Sequence, residues 1–509
     1  MALLYQGREW NFDTIKRVHD AIEDIAINEM GLDVYPTQIE VITSEQMLDA
    51  YASIGLPIMY RHWSFGKRFA RDEVLYRKGY QGLAYEIVIN SDPCICYIME
   101  ENSMTMQTLV MAHAAFGHNH FFKNNHLFRQ WTDAKGILDY LAFARDYVAR
   151  CEEREGEEAV ERVLDAAHAL QMQGINRYSR RPRRSLAEEL ERERERRRYA
   201  ETTWNPLWTT VPGVDPSAEL GNADYQRLLE EGRQRIELPE ENLLYFLEKN
   251  SPVLRGWERE ILRIVRVLAQ YFYPQRQTKV MNEGCATFVH YEIMNRLHER
   301  GQIDDGSFME FLHSHTSVVF QPEFSDKRYG GINPYALGFA MMSDIQRICR
   351  EPTEEDYAWF PEIAGNQDPM GTLREIWADY RDESFILQFL SPKVIRDFRM
   401  IRLNDDQGYP YFEVAAIHDD QGYRDIRTAL AAEYEIARID PEIEVVDVNL
   451  AGDRKLILEH RVRDGQRLDE ATMHKTLRHI RTLWGYSVRL REVDAESGSL
   501  LVSGECEVA

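Results

Sequence analysis

Apolar residues recur at helical spacing through most of the N-terminal four-fifths of the chain. Residues 12–31, 136–154 and 282–300 each place apolar side chains three or four positions apart, and the first and last of these segments stop at a glycine. Strand-like alternation in this part is confined to residues 39–42 and 84–98. The pattern therefore predicts a large, mainly α-helical domain that contains a little β-sheet.

The C-terminal residues follow a different pattern. Their predicted elements are, in order, strand 411–417, helix 423–438, strands 444–450 and 455–462, helix 468–483 and strand 487–493. This βαββαβ order is that of a ferredoxin-like unit. We therefore predict an α+β protein with a helical core domain over residues 1–403 and a small ferredoxin-like C-terminal domain over residues 409–509.

Residues 177–203 interrupt the helical pattern of the core domain. Because arginine and glutamate alternate there with almost no apolar face, the segment has the pattern of a solvated helix or a mobile arm. Its arginine-rich part, residues 177–198, and the C-terminal domain are the two regions that we expect to contact protein partners.

Composition and charge narrow the class of protein. The 509 residues are 44% hydrophobic, which is enough for one large core and a second, smaller one. A formal net charge of -24 repels phosphate backbones, so nucleic-acid binding is not expected. The sequence has no apolar run of about 18 residues and no signal-peptide pattern, so we expect no membrane association and a cytoplasmic location.

The absence of several local motifs argues against the classes of chemistry that depend on them. The sequence contains no Walker A motif, no glycine-rich dinucleotide fingerprint after a strand and no G-x-S-x-G elbow. No nucleotide or dinucleotide cofactor is therefore predicted. The six cysteines are scattered without a C-x2-C pair, which indicates neither a disulfide framework nor a zinc ribbon.

The candidate chemistry lies in two polar clusters, residues 113–125 and 281–291, inside otherwise apolar helical segments. A buried polar side chain has to find a partner or it destabilises the fold. His113, His118 and Glu283 are the ligand types of a zincin-like site, in which two histidines and a glutamate from a later helix bind zinc. We therefore predict that these three side chains bind zinc or another divalent metal in a hydrolase-like site.

The spacing departs from the zincin pattern at two points. His113 and His118 are five residues apart, which places them about 140° apart around an unbroken α-helix. They converge only if Gly117 ends the helix and lets His118 swing back. Ala114 occupies the position of the zincin general base, so water activation would need a carboxylate from elsewhere in the fold.

Further polar residues are predicted to support the site. His290 follows Glu283 by seven residues, a rise of roughly 10 Å along a helix, so we expect it beside the metal ligands and not among them. The supporting set is His120, His290, His315, Asn125 and Asn333.

Two other arrangements remain open. Asp165 with His168, and Glu310 with His313, are acid-x-x-His pairs, the spacing by which the helices of dimetal carboxylate proteins present their ligands. Alternatively, the histidines, Glu283 and the asparagines form a buried hydrogen-bond network that fixes the helices without any metal.

Several long motifs resemble those of one protein family. They are His113-x4-His118-Asn, Phe121-Phe-Lys-Asn-Asn125, Met281-Asn-Glu-Gly-Cys-Ala-Thr-Phe288, Phe311-Leu-His-Ser-His-Thr316 and Gly331-Ile-Asn-Pro-Tyr-Ala-Leu-Gly338. Through them the chain resembles the stage V sporulation protein R (SpoVR) family along nearly its whole length. The resemblance implies a role in spore cortex formation or, in a host that does not sporulate, in envelope or stress physiology. Because genes of this family often neighbour that of a serine protein kinase, it also implies an alternative, a non-enzymatic regulator or scaffold in a kinase pathway.

Overall fold

The computed structural model of the chain describes residues 2–52, 59–77, 86–177, 194, 238–404, 413–449 and 453–508. These residues form two units. The first combines residues 1–145 with 274–435, and the second combines residues 146–273 with 436–509. Apart from Arg177 and Arg194, the predicted arm of residues 177–203 lies outside the described residues, so its role with partners stays a prediction.

Helices account for most of the described structure. In chain order they are α1 (Phe12–Glu23), α2 (Ser44–Ala52), α3 (Trp63–Arg77), α4 (Met104–Val110), α5 (Asn119–Asn124), α6 (His126–Trp131), α7 (Ile137–Glu155), α8 (Glu157–Ala169), α9 (Leu243–Asn250), α10 (Gly256–Gln277), α11 (Lys279–Glu299), α12 (Asp305–Val318), α13 (Pro334–Arg350), α14 (Glu354–Trp359), α15 (Pro369–Asp379), α16 (Asp382–Phe389), α17 (Pro392–Asp397), α18 (Asp420–Ala432), α19 (Ile436–Ile439) and α20 (Glu470–Trp484). Two segments, Asp24–Glu29 and Met111–His118, are π-helical, and Gln171–Gln173 is a 3-10 turn. None of the described helices is both long enough and apolar enough to cross a membrane.

The strands of the described residues form three small sheets. In chain order they are β1 (Thr37–Ile42), β2 (Glu86–Ile89), β3 (Cys94–Met99), β4 (Arg402–Asn404), β5 (Glu413–Ala416), β6 (Glu442–Val448), β7 (Leu456–Val462), β8 (Val488–Asp494) and β9 (Leu500–Val508). The first sheet has the order β1-β3-β2, with β1 parallel and β2 antiparallel to β3. It places Glu86, at the start of β2, opposite Ile98.

Helix α11 lies within the core of the first unit. Its sequence offers apolar side chains on every face, and Val280 and Phe288 are examples that are fully buried. A helix that is apolar all round is stable only inside a core. The polar residues that α11 also carries, Asn282, Glu283 and His290, are therefore drawn into the interior with it.

Glycines let the neighbours of α11 approach its backbone closely. A Cβ atom at Gly117, in the π-helical segment, would lie 2.5 Å from the Cα atom of Ala286. One at Gly284 would lie 2.6 Å from the Cα atom of Gly338 in α13. Both distances are shorter than any van der Waals contact, so these positions set the separation of α11 from both neighbours.

The second unit contains a four-stranded sheet in the order β6-β7-β8-β9. Only the central pair, β7 and β8, is parallel. Helix α20 packs against β8, β9 and α8. Alternate residues of β7, from Leu456 to Val462, are buried, as expected for a sheet with one covered face. The prediction of an α+β protein, mainly helical with a small C-terminal sheet, is confirmed.

The strand order within this C-terminal part differs from the predicted ferredoxin-like order. The predicted first strand is β5, which pairs with β4 instead of joining the larger sheet. The helix after it, α18, buries Tyr423, Ile426 and Leu430 in the core of the first unit, and β9 supplies the fourth strand of the sheet. Alternation and amphipathicity show that a segment is half buried, but not which core buries it.

We expect Gly117→Ala to destabilise the first unit. The new methyl group meets backbone atoms of Ala286, which cannot rotate away, so the free energy of unfolding should fall by about 1–3 kcal/mol or more. Gly256→Ala is the matched control, because a Cβ atom at Gly256 would meet nothing within 4 Å. Urea denaturation followed by tryptophan fluorescence measures both, and equal stability of the two variants would contradict the close contact.

Candidate metal centre

The π-helical segment Met111–His118 brings the two predicted histidine ligands together. It lies inside one continuous helical run from Met104 to Asn124, so Gly117 does not end the helix, contrary to our expectation. In a π-helix each N–H bonds the carbonyl five residues back, which places residues five apart above one another. The ring centroids of His113 and His118 lie 4.6 Å apart. The convergence thus comes from a wider turn, which the sequence did not reveal.

Helix α11 adds the third predicted ligand. The Oε2 atom of Glu283 lies 3.6 Å from His118 Nε2 and 3.9 Å from His113 Nε2. Its side chain is 19% exposed, so it is largely withdrawn from water. The structure therefore brings all three predicted ligands to one place.

A fourth side chain, Glu86, joins them and was missed by the sequence analysis. Its Oε1 atom lies 3.3 Å from His113 Nε2, and its carboxylate shares a potential metal-binding group with His113 and His118. The sequence offered one signal, an acidic residue at the head of the apolar strand β2, Glu86–Ile89. Only the pairing of β2 with β3, and its packing on the π-helical segment, brings the carboxylate to the histidines.

The spacing of the donor atoms fits a bound ion. Ligands about 2.0–2.1 Å from a tetrahedral ion lie roughly 3.3–3.4 Å from one another. The nitrogen-to-oxygen distances are 3.3 Å from His113 to Glu86, 3.6 Å from His118 to Glu283 and 3.9 Å from His113 to Glu283. Two imidazole nitrogens and carboxylate oxygens, without a thiolate, form a donor set suited to zinc, iron or manganese.

Burial shifts the pKa values of two side chains in the cluster, and two of its carboxylate oxygens find no hydrogen-bond partner in the part of the chain that the structure describes. Burial, together with the charge of Glu283, raises the pKa of Glu86 well above its usual value. Burial and the neighbouring histidines lower the pKa of His113 well below its usual value. Oε2 of Glu86 and Oε2 of Glu283 are buried and find no hydrogen-bond partner among the described residues. A divalent cation bound beside these groups would favour the charged form of the Glu86 carboxylate, which burial alone disfavours.

Of the predicted supporting residues, His290 and His315 extend the cluster. His290 Nδ1 lies 2.9 Å from His113 Nδ1, and His290 Nε2 lies 3.0 Å from His315 Nδ1. On the other side, His118 Nδ1 lies 2.9 Å from Asn282 Oδ1. Asn282 was not singled out from the sequence, although it adjoins Glu283.

The other three predicted supporting residues have structural partners elsewhere. The ring of His120 bonds the backbone N–H of Asp33 and packs edge-on against Trp377. Asn125 caps α6 and donates to the carbonyl oxygens of Trp377 and Tyr380. Asn333 caps α13. These three residues tie helices together and do not contact the histidine pair.

The alternative acid-x-x-His residues lie in different units. Asp165 and His168 lie in α8 of the second unit, whereas Glu310 and His313 lie in α12 of the first. Glu310 accepts a hydrogen bond from Ser103, and His313 is exposed. Among the described residues, neither pair falls in a group of three side chains that could share an ion, a condition met by the Glu86 cluster and by His19, Asp20 and Glu23 on the surface of α1.

Comparison with known proteins assigns the family. A model described as SpoVR like protein matches residues 9–439, and one described as SpoVR-like C-terminal domain matches residues 441–495. The chain belongs to the SpoVR-like protein family. It is also 52% identical over 503 residues to Uncharacterized protein YcgB of Escherichia coli strain K12, a match that covers 99% of this chain and 96% of that protein. No solved structure matches the chain.

The family assignment confirms the resemblance seen in the motifs. The side chains of the candidate metal centre all lie within the matched residues 9–439; they are Glu86, His113, His118 and Glu283. The name of the relative states no activity, so the chemistry of the cluster has to be argued from its geometry.

A buried carboxylate anchors the helix that carries Glu283. Asp382 accepts hydrogen bonds from the backbone N–H groups of Val280 and Met281, both at 2.9 Å, at the start of α11. These bonds favour the charged form, but burial outweighs them and raises the pKa of Asp382 to about 7. The folded protein therefore favours the protonated form of Asp382 below this pKa, even though the hydrogen bonds themselves are stronger to the charged form.

We expect this shift to appear in the pH dependence of stability. Because the folded-state pKa of Asp382 is about 7 and the reference value is 3.8, the folded protein binds a proton that the unfolded chain does not between these values. Lowering the pH from 7.5 to 5 should stabilise the natural protein relative to Asp382→Asn by about 2–3 kcal/mol. Urea denaturation of both proteins at the two pH values measures this, and a pH-independent difference would contradict the raised pKa.

Proposed function

We propose that this SpoVR-like protein binds one divalent metal ion through His113, His118 and Glu283 and is a metal-dependent enzyme of the hydrolase type. The observation that carries the proposal is the position of Glu86, whose Oε1 atom lies 3.3 Å from His113 Nε2 and forms a potential metal-binding group with His113 and His118. The chain thus brings to the two histidines and Glu283 the additional carboxylate that the zincin comparison lacked.

Glu86 takes the role that Ala114 cannot fill. In a zincin the general base follows the first histidine on the same helix, and here that position is alanine. Glu86 reaches the site from strand β2 instead, 3.3 Å from His113. A divalent ion held by the three ligands would supply a Lewis acid there. Glu86, with a raised pKa and a buried oxygen that has no hydrogen-bond partner among the described residues, is the side chain placed to act as the general base.

The choice of metal follows from the donor atoms. Imidazole nitrogens suit zinc, iron and manganese, and carboxylates extend the range toward harder ions. The buried cysteines of the first unit, such as Cys96 and Cys285, do not enter the potential metal-binding groups of the described residues. Zinc, iron and manganese are therefore the ions to measure.

The biological role is proposed from the family. The SpoVR resemblance supports a cytoplasmic role in spore cortex formation, or in envelope or stress physiology where the host does not sporulate. The competing proposal is a non-enzymatic regulator or scaffold, linked to a serine protein kinase pathway, in which the same side chains form only a hydrogen-bond network. The two proposals differ in whether the cluster binds an ion.

Metal content of the purified protein tests the proposal. We expect inductively coupled plasma mass spectrometry of protein prepared without a metal-affinity tag or chelator to find about one equivalent of divalent metal. His113→Ala and Glu283→Gln should lose it, because each removes a ligand. Glu86→Gln should retain it, because it removes a base. His313→Ala, an exposed histidine of α12, is the matched control and should also retain it.

The remaining outcomes assign the function differently. Loss of metal from His313→Ala but not from His113→Ala would move the centre to the acid-x-x-His pairs. Loss from Glu86→Gln as well would make Glu86 a fourth ligand and remove the proposed base. No metal above background in the natural protein, with all variants folded by circular dichroism, would leave the hydrogen-bond network and the regulatory role.

A further inference from the structure

Helix α11 contacts the far side of both ligand histidines. His118 Nδ1 lies 2.9 Å from Asn282 Oδ1, and His113 Nδ1 lies 2.9 Å from His290 Nδ1. The Nε2 atoms of the two histidines point the other way, toward the carboxylates. The helix that supplies Glu283 therefore also supplies a partner for the second nitrogen of each imidazole.

A bound ion would give these contacts a fixed direction. A neutral imidazole carries one N–H, so a ring that binds metal through Nε2 carries its hydrogen on Nδ1. His113 then donates to His290 Nδ1, and His290 must hold its own hydrogen on Nε2. That hydrogen is donated to His315 Nδ1, 3.0 Å away. The hydrogen bonds of the three histidines thus all point away from the ion.

The surroundings keep this chain in place. His290 and His315 are both buried. Aromatic rings enclose His315, with the centroid of Tyr291 at 5.0 Å and that of Phe339 at 4.7 Å. These rings restrict the orientation of His315 and leave its bond to His290 as the polar contact that orients Nδ1.

We propose that Asn282 and His290 are positioning residues, which lock His118 and His113 in the tautomer that presents Nε2 to the metal. The proposal rests on the metal-binding function proposed above. Asn282 performs this task with an amide oxygen, whereas His290 performs it with an imidazole nitrogen whose own orientation depends on His315. Neither side chain touches the ion.

Removing either acceptor takes away the side-chain partner of a buried N–H, although the backbone of Ala286 also makes a hydrogen bond with His113. The imidazole can then move its hydrogen to Nε2 or rotate, and both changes compete with metal binding. Loss of such partners of metal-bound histidines typically costs about 10–100-fold in metal affinity. If His290 served only for packing, metal affinity would not depend on an acceptor atom at this position. Replacements of His290 with and without an acceptor therefore distinguish a positioning role from a packing role.

Three variants separate the acceptor from the packing. His290→Phe keeps an aromatic ring but removes the acceptor. Asn282→Leu keeps a side chain of similar shape to asparagine and also removes the acceptor. His290→Asn restores an acceptor, because the amide oxygen stands about as far from Cβ as the ring Nδ1 does, and Asn282 shows that such an oxygen serves this purpose here. His313→Phe, at an exposed position, is the control for the change of histidine to phenylalanine.

The experiment is a titration of the metal-free full-length protein with Co²⁺, followed by visible absorption. We expect His290→Phe and Asn282→Leu to bind Co²⁺ about 10–100-fold more weakly than the natural protein, with altered ligand-field bands. His290→Asn and His313→Phe should bind almost as tightly as the natural protein. Circular dichroism and melting temperature establish that each variant is folded, and if His290→Phe does not fold, Asn282→Leu and His290→Asn carry the test.

The failures of the two proposals are distinguishable. Natural affinity and an unchanged spectrum in His290→Phe and Asn282→Leu would overturn the positioning role while the metal centre stands. Equal weakening in His290→Asn and His290→Phe would assign His290 to packing. Absence of Co²⁺ binding by the natural protein would overturn the metal centre and the positioning role together.

Discussion

The close approach of helix α11 to its two neighbours is the constraint on which the rest of the structure depends. The contact of Gly117 with Ala286 fixes the π-helical segment, and the contact of Gly284 with Gly338 fixes α13. Gly117 adjoins the proposed ligand His118, and Gly284 adjoins the proposed ligand Glu283. Because a metal site requires donor atoms placed to a fraction of an ångström, any widening of these contacts would separate the donors before it unfolded the protein.

The π-helical turn is the second device that builds the cluster. Such a turn is rare and occurs mostly as a short insertion inside an α-helix, so we expect it only where its surroundings impose it. Here all of Met111–His118 is buried, and Gly117 is pressed against α11. The wider turn converts a spacing of five residues, which an α-helix would splay, into two imidazoles on one face. The fold thus accepts a local cost to bring His113 and His118 together.

The sequence revealed the chemical groups of the cluster better than the geometry that joins them. His113, His118 and Glu283 could be selected because they interrupt apolar helical segments, where a polar group needs a reason. Glu86 could not, since an acid at the head of a strand is ordinary and its meeting with His113 depends on long-range packing. The same limit explains β5: its alternation predicted a strand, but its pairing with β4 depends on which core buries it.

The distances within the cluster favour a cation over a shared proton. His118 Nδ1 faces the side-chain oxygen of Asn282, and in the tautomer that donates to this oxygen Nε2 has a lone pair directed toward Glu283. Two acceptors that face each other inside a protein need a positive charge or a proton between them. A proton would draw them to about 2.7–3.2 Å, the length of a hydrogen bond. The Nε2 atoms of His118 and His113 lie 3.6 and 3.9 Å from Glu283 Oε2, which is too far for a hydrogen bond, and the proposed ion would supply the positive charge between them.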